Sequence, residues 1–492
     1  MTLLAPDHRG QLARRLDRLR AGRTDPGDRA DPLPYRPIPS RDLAERLATT
    51  LDGEVVTVGA GRFVRVEGRS TTLPIDRSRL ARLPGQPPAA HPMVCLDTET
   101  TGLATAAGTV AFLIGLGWWE GDTFRQVQLL LPDHAEEGTL LDELARHLPA
   151  GAWLVTYNGR GFDWPLLVTR YRMARRAAPL NDGHLDLLPI VRRLFRHRMT
   201  DARLQTVERS LLGMTRCDDV DGWEIPGRYL GFLRGGPAEP LLAVLRHNEQ
   251  DVRSLARLVS LLEQGYADPI ARLGAPRGDL AGLARAFARE RRLDEALTCL
   301  EAAADAPEAR PPEARAPTNE TAGQVSETDA RPGVPVGPQL DDEAWWLPHH
   351  RPDFGGRPSA SVGLAGSRRQ AAFDAPWTNE RIAVDRAHLL RRLGRLPEAV
   401  EAWLALGAGR GRIAVLALVE VAKLREHRLG DLSGAIEATQ RGMATAERRR
   451  RLGRPEPALE IDLARRLGRL QARRARVGLA RLSLARRRNG PR

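Results

Sequence analysis

The chain contains few cysteines and no long apolar run. Its three cysteines, Cys95, Cys217 and Cys299, stand far apart with no C-x-x-C spacing, so neither a disulfide framework nor a zinc site is predicted. It has no run of about 18 apolar residues, which a membrane span would need, and its N-terminal stretch lacks the apolar core of a secretion signal. We therefore expect a cytoplasmic protein with no membrane partner.

Lysine is also nearly absent, since Lys423 is the one lysine among 75 basic residues and the rest are arginines. A GC-rich genome is sufficient to explain this bias, but the formal net charge of +13 remains. A basic protein is attracted to phosphate backbones, and the same charge suits acidic protein partners. The 492 residues, of which 42% are hydrophobic, suffice for a large core and more than one domain.

Composition and periodicity divide the chain into six parts. The first part is rich in Arg, Asp and Pro, with one short basic helix expected near Gln11 to Leu19. A later segment begins with a run, residues 306–338, that is rich in Pro, Ala, Glu and Gly and has no aromatic residue, so it cannot bury enough surface to order itself. We predict a disordered basic arm (1–40), a small α/β addition (41–90), an α/β domain (91–265), a repeat-like helical segment (278–305), a disordered linker (306–378) and a helical tail (379–480).

The α/β domain begins with three strand patterns and then alternates strands with helices. The runs MVCLD, AFLIGLGWW and FRQVQLLL are typical of strands, and the turn at Glu120 to Asp122 predicts a hairpin between the last two. Helical, strand and helical patterns follow in EEGTLLDELARHL, AWLVTY and the residues after Asp163. This order predicts a mixed sheet flanked by helices.

The helical parts contain three similar motifs, RRLDEAL, GRLPEAV and GDLSGAI. The leucines of the last two, Leu396 and Leu432, are 36 residues apart, close to the roughly 34-residue period of tetratricopeptide repeats. Helices rich in Ala, Leu and Arg also resemble each other by composition alone. We predict a degenerate tetratricopeptide-like tail, and we expect the regions before and after the linker to fold separately.

Two acids stand one residue apart in VCLDTETTGL, where Asp97 and Glu99 face the same side of a predicted strand. They are either a solvated strand end or ligands of a divalent cation, which would turn their repulsion into coordination. YNGRGFDWPLL and LRHNEQDVRSLARL supply two more acids, Asp163 and Asp251. The four acids are expected to meet at one end of the sheet and to hold two Mg²⁺ or Mn²⁺ ions about 4 Å apart.

These motifs resemble those of a known family. D-x-E in the first strand, N-x-x-x-F-D in the middle and an acid preceded by His near the end resemble the three exonuclease motifs of the DEDD superfamily. The surrounding phrases, such as LDTETTGL, DDVDGWEIPGRYLGFLRGG and HNEQDVRSLARL, are similar to its YprB-like branch, whose members often carry tetratricopeptide-like repeats. The resemblance covers roughly Met93 to Leu262 and, more weakly, the tail. It implies a ribonuclease-H-like fold and a metal-dependent nuclease.

The resemblance also implies roles for individual residues. The metal ligands would be Asp97, Glu99, Asp163 and Asp251, with Asp97 between the ions, and the substrate contacts would be Thr98, Tyr157, Asn158, Arg160 and Phe162.

His247 departs from the family pattern. Superfamily members carry either Tyr four residues before the last acid or His five before it, whereas His247 is four before Asp251. Positions i and i+4 share a helix face, so His247 is expected to orient or deprotonate the attacking water. The alternative is a surface histidine with no role.

Two weaker candidates stay open. Asp186 either lies beside the metal ligands or is only the N-cap of a helix. The acidic run Asp218 to Asp221 is either a loop that shapes the substrate groove or a solvated turn.

The expected function is a two-metal nuclease that acts as a 3′-to-5′ exonuclease on single-stranded DNA or RNA, with direction and mode implied by the resemblance alone. The tail is expected to bind the substrate or a protein partner. The alternative is a non-catalytic module that keeps the fold and binds nucleic acid or protein.

Overall fold

The computed structural model describes residues 39–102, 108–216, 219–307 and 378–488. The predicted basic arm, its short helix near Gln11 to Leu19 and nearly all of the predicted linker lie outside the described residues, as does Asp218. Among the helices of the described part, none is both long enough and apolar enough to cross a bilayer.

The described part is built from eight strands and a larger number of helices. The strands are β1 (Glu54–Val58), β2 (Gly61–Glu67), β3 (Thr71–Thr72), β4 (Met93–Thr100), β5 (Ala111–Glu120), β6 (Thr123–Leu130), β7 (Trp153–Thr156) and β8 (Gly183–Asp186). The helices of the first half are α1 (Ser40–Leu51), α2 (Arg77–Leu80), α3 (Glu137–His147), α4 (Asp163–Met173), α5 (Leu187–Phe195), α6 (Leu204–Val207), α7 (Ile225–Leu233) and α8 (Leu241–Tyr266). Later helices are α9 (Arg277–Arg289), α10 (Leu293–Asp305), α11 (Asn379–Arg392), α12 (Leu396–Gly407), α13 (Arg412–His427), α14 (Leu432–Arg451) and α15 (Pro457–Arg488).

All eight strands join one mixed sheet, in the order β1-β2-β6-β5-β4-β7-β8, with β3 also pairing with β6. β4 pairs in parallel with β7, and β7 with β8, whereas the other pairs are antiparallel. The predicted mixed sheet is therefore confirmed. β1 and β2, from the predicted N-terminal addition, extend this same sheet through the pairing of β2 with β6.

The predicted hairpin between β5 and β6 is also confirmed. Glu120 pairs with Thr123, so the turn consists of two residues. The first, Gly121, has φ of 60°, a left-handed conformation that glycine adopts without steric cost.

Both faces of the sheet are covered, and alternate side chains of β4 therefore belong to different cores. Met93 and Cys95 belong to a core with α8, whereas Val94 and Leu96 belong to a core with α3. Side chains two apart on a strand share a face. Asp97 and Glu99 therefore lie on the face that α8 covers.

The later helices continue from the sheet domain as a stack. α9 packs on α5, and each helix from α10 to α15 packs on the one before it. One continuous apolar core runs from Cys95 through Phe287 to Trp403, and Arg285 of α9 forms an ion pair of 3.0 Å with the buried Asp385 of α11. The expectation that the regions before and after the linker fold separately does not agree with this shared core.

The three similar motifs each begin a helix at their leucine: Leu293 begins α10, Leu396 begins α12 and Leu432 begins α14. Their alanines, Ala296, Ala399 and Ala435, are fully buried. A small residue at such a position lets neighbouring helices approach closely. The predicted helical tail is confirmed, and its tetratricopeptide character stays a prediction.

Candidate active site

The acid pair of VCLDTETTGL lies at the carboxyl end of β4, the strand between β5 and β7. Asp97 is opposite Gly115, and Glu99 is opposite Leu113. The register shifts between Glu99 and Thr100, and irregularities of this kind re-aim side chains beside functional sites. Both acids are half-buried in a strand that is otherwise buried.

Asp97 is held by Asn248 of α8. The Asn248 amide donates to Asp97 Oδ2 at 2.9 Å and to the Asp97 carbonyl oxygen at 3.3 Å, while Gln128 donates to Asn248 Oδ1 at 2.9 Å. Gly115 makes room for this contact, since a Cβ there would lie 2.2 Å from Asn248 Oδ1. Sequence reasoning missed Asn248, although its position next to His247 and the glycine in LIGLG were available signals.

Asp163 is the first residue of α4, where a carboxylate interacts favourably with the helix dipole. The Thr98 hydroxyl donates to Asp163 Oδ1 at 2.5 Å. Thr98 was expected to contact the substrate, but its side chain is buried against Asp163. Its observed contact therefore positions Asp163.

α8 brings His247 and Asp251 to the acid pair, one helical turn apart. His247 Nε2 lies 3.5 Å from Asp251 Oδ2 and 4.0 Å from Glu99 Oε1. One ligand atom from each of these three residues lies within 4.8 Å of the other two. This spacing lets Glu99 and Asp251 approach one cation, with His247 beside it.

Burial raises the pKa of all four acids. For Asp97 and Glu99, whose pKa values lie well above the usual range, the charges of neighbouring carboxylates add to the effect of burial. The pKa of Asp163 is raised to about 6, although the hydrogen bond from Thr98 opposes the shift, and the pKa of Asp251 is also raised. A divalent cation would offset this repulsion, so the donor set fits a hard metal ion.

Residues 94–263 match the family model of the RNase_H superfamily. This part of the chain is a ribonuclease-H-superfamily domain. A Bacillus subtilis (strain 168) protein with the name "uncharacterized protein YprB" is 36% identical to the chain over 209 residues, which are 42% of this chain and 50% of that protein. The chain thus spans about half the length of the curated relative that it matches. The resemblance drawn from the motifs is confirmed.

The ribonuclease-H-superfamily domain also places a basic side chain, Arg216, in this site, and sequence reasoning missed it. Arg216 donates to Asp251, to Asp219 at 3.2 Å and to both oxygens of Glu208 at 2.6 and 2.8 Å. Its side chain is 9% exposed, and that of Glu208 is 1% exposed. Arg216 therefore serves as an internal counter-ion, and the acidic run that follows it was the one available signal.

Asp219 orients His247. The two side chains meet at 2.6 Å between Asp219 Oδ1 and His247 Nδ1, whereas Arg216 Nη1 is 3.3 Å from the same nitrogen. The shorter contact requires the proton on Nδ1, so we assign Nδ1–H as the donor to Asp219. Nε2 then faces Glu99 and Asp251. The acidic run thus reaches the site through Asp219, which decides against a merely solvated turn.

The loop of YNGRGFD is fixed by Asp186. Asn158, with φ of 68°, donates its N–H to Asp186 Oδ1 at 2.8 Å, and the Arg160 N–H donates to Oδ2 at 3.2 Å. Asp186 also caps α5 by accepting from the Leu188 N–H at 3.1 Å. Both open readings of Asp186 therefore hold in part, because it is an N-cap that also shapes the loop before Asp163.

The side chains of this loop differ in their contacts and in their exposure to solvent. The Tyr157 hydroxyl donates to the Ala202 carbonyl at 2.6 Å, and the exposed Arg160 donates to the His184 carbonyl. Phe162 is half-buried immediately before α4. Of the predicted substrate contacts, Asn158 and Arg160 are the most exposed.

Proposed function

We propose that the ribonuclease-H-superfamily domain is a metal-dependent nuclease that acts as a 3′-to-5′ exonuclease on single-stranded nucleic acid. The observation that carries the proposal is the group of Glu99, His247 and Asp251, whose ligand atoms lie within 4.8 Å of one another, with Asp97 beside them on β4 and Asp163 held by Thr98. Crowded carboxylates are the ligands that hard divalent cations prefer. The direction and the exonucleolytic mode rest on the motif resemblance.

The four carboxylates would hold two Mg²⁺ or Mn²⁺ ions. Such ions lower the pKa of water and stabilise the charge on a leaving oxygen. Asn248, which is fully buried, would keep Asp97 in one orientation by donating to Oδ2. This contact leaves Oδ1 available as a ligand.

His247 would accept the proton of the attacking water at Nε2. Asp219 supports this role because it holds the Nδ1–H and leaves Nε2 facing Glu99 and Asp251.

The loop fixed by Asp186 would guide the substrate strand towards Asp163. The guanidinium of Arg160 makes one contact with the His184 carbonyl, and it retains donors for a phosphate. Tyr157, Asn158 and Phe162 are candidate contacts to sugar or base. Thr98, buried beneath Asp163, would act through that residue.

The test is degradation of 5′-labelled single- and double-stranded DNA and RNA by the purified chain with Mg²⁺ or Mn²⁺. We expect single strands to shorten stepwise from the 3′ end, and no products in EDTA. Asp97→Asn should be inactive. Asp122→Asn, an exposed acid in the β5–β6 turn, is the matched control and should retain full activity.

Wild-type turnover in Asp97→Asn would contradict the metal assignment. If no polymer is degraded and titration calorimetry detects no binding of Mg²⁺ or Mn²⁺, the nuclease proposal fails and the non-catalytic binding module takes its place.

A further inference from the structure

The last helix, α15, presents an exposed basic surface far along the stack from the active site. Leu463 and Leu470 are buried against the preceding helices, but every side chain from Gln471 to Val477 is exposed. This stretch includes Arg473, Arg474 and Arg476. In the part of the chain that the structure describes, Arg474 and Arg476 have no acidic partner.

The surface continues onto three arginines that share one glutamate. Glu426, at the end of α13, is 3% exposed and lies 3.2 Å from Arg466, 2.8 Å from Arg469 and 3.7 Å from Arg473. Arg466 also lies 4.0 Å from Asp462, but Glu426 alone cannot neutralise both Arg469 and Arg473 as well. Arg469 and Arg473 are 55% and 54% exposed, so their positions are fixed while donors remain directed to solvent.

We propose that Arg469, Arg473, Arg474 and Arg476 form a binding surface for the phosphate backbone of single-stranded nucleic acid. The surface is separate from the active site, because α9 to α14 lie between α15 and the sheet domain. Its role is to hold the substrate strand, and binding there does not depend on whether the proposed hydrolysis occurs.

The chemistry favours nucleic acid over a membrane. Planar guanidinium groups match phosphate oxygens in pairs, and the spacing of these arginines along one helix suits a polyanion. A helix that lies on a bilayer needs a large apolar face, whereas the exposed apolar residues beside these arginines are two alanines, Val477 and Leu479. The same chain carries a ribonuclease-H-superfamily domain, whose proposed substrate has this backbone.

The experiment measures binding of a fluorescein-labelled single-stranded oligonucleotide by anisotropy, in EDTA, over a range of salt concentrations. The full-length variant Arg474→Gln/Arg476→Gln should bind more weakly than wild type. The slope of log K against log salt should become shallower by about 1.4, since each lost phosphate contact contributes about 0.7 for a single strand.

The matched control is Arg391→Gln/Arg395→Gln. It removes the same charge from arginines that are 45% and 44% exposed, but Arg391 pairs with Glu420, which also pairs with Lys423, and Arg395 pairs with Glu398. Wild-type affinity and slope are expected for this control. Equal weakening by both variants would overturn the proposal, because total charge rather than this surface would then set the affinity.

Two competitors separate the other partners. Anionic phospholipid vesicles and polyglutamate should compete less effectively than unlabelled nucleic acid. If either competitor displaces the oligonucleotide at the same concentration as unlabelled nucleic acid, the assignment to nucleic acid is overturned. Asp97→Asn should bind like wild type. A loss of hydrolysis without a loss of this binding therefore bears only on the nuclease proposal.

Discussion

The sheet domain and the helical tail carry opposite charge. Residues 94–263 contain 19 basic and 22 acidic residues, whereas residues 378–492 contain 27 basic and 12 acidic residues. The excess of basic over acidic residues that gives the net charge of +13 therefore lies mainly in the tail. The acidic site and the basic surface can coexist in one chain because α9 to α14 lie between the sheet domain and α15.

In both regions one charged side chain contacts three side chains of the opposite sign, with the signs reversed between the two regions. In the sheet domain one arginine, Arg216, contacts three acids. In the tail one glutamate, Glu426, contacts three arginines. The difference is exposure, since the acids around Arg216 are at most 16% exposed and two of the arginines around Glu426 are more than half exposed.

The largest expected effect separates the two regions. Asp97→Asn should abolish hydrolysis, because the proposed metal pair loses a charge that no other residue replaces. Single-strand binding through the tail should stay unchanged. Turnover and anisotropy measured on one preparation check both halves, and a variant that loses both activities would show that the regions are not independent.

His247→Ala should lower turnover by about 10²- to 10⁴-fold, the usual contribution of a general base, while binding of Mg²⁺ and of nucleic acid persists. Single-turnover rates and titration calorimetry measure these quantities. His134→Ala, an exposed histidine next to α3, is the control. Full activity in His247→Ala under conditions where chemistry limits the rate would leave His247 without a catalytic role.

Arg216→Met should destabilise the protein by about 3–5 kcal/mol, because it leaves the buried Glu208 without a cationic partner. Adding Glu208→Gln should recover part of the loss. Urea denaturation gives the free energy of unfolding. Arg228→Met, which removes a more exposed ion pair with Glu224, should cost about 0–1 kcal/mol, and an equal cost for both would refute the special position of Arg216.

Glu426→Gln should cost less, about 1–3 kcal/mol, since Arg469 and Arg473 can turn towards water and the less exposed Arg466 keeps Asp462 at 4.0 Å. It should also tighten nucleic-acid binding, because it removes a negative charge beside the basic surface. Glu437→Gln, a 65% exposed acid, is the control. Weaker binding in Glu426→Gln would contradict this prediction.

The smallest expected effect concerns stability without metal. Burial and neighbouring acids raise the pKa of Asp97, so its ionised form costs stability at pH values above that pKa, and the cost disappears as pH falls through it. Asp97→Asn should therefore melt at a higher temperature than wild type in EDTA. The Tm should rise by about 2–4 °C for each kcal/mol gained in the free energy of unfolding. This gain should shrink on acidification. A lower Tm for the variant at neutral pH would contradict the repulsion.

Local patterns were enough to predict the centre of the sheet and the acids. The apolar run before Asp97 identified β4, and the helical spacing of His247 and Asp251 placed both on one face of α8. Arg216 and Asp219 could not be found in this way, because they lie outside helices and strands and reach α8 through contacts more than 25 residues apart in sequence. The packing of α11 on α10 was missed for a similar reason, since a long segment separates the two helices.

The site is built from a hydrogen-bonded strand and from a segment that lies outside helices and strands. β4 is hydrogen-bonded on both sides, to β5 and β7, so its amide protons should exchange with solvent only when the whole domain opens. The described residues 213–216 and 219–224, which carry Arg216 and Asp219, belong to no helix or strand and should exchange through local opening. Occupancy of the site can then be followed without a turnover assay, as slower exchange in these residues and, because a bound ion also raises the free energy of global opening, in β4.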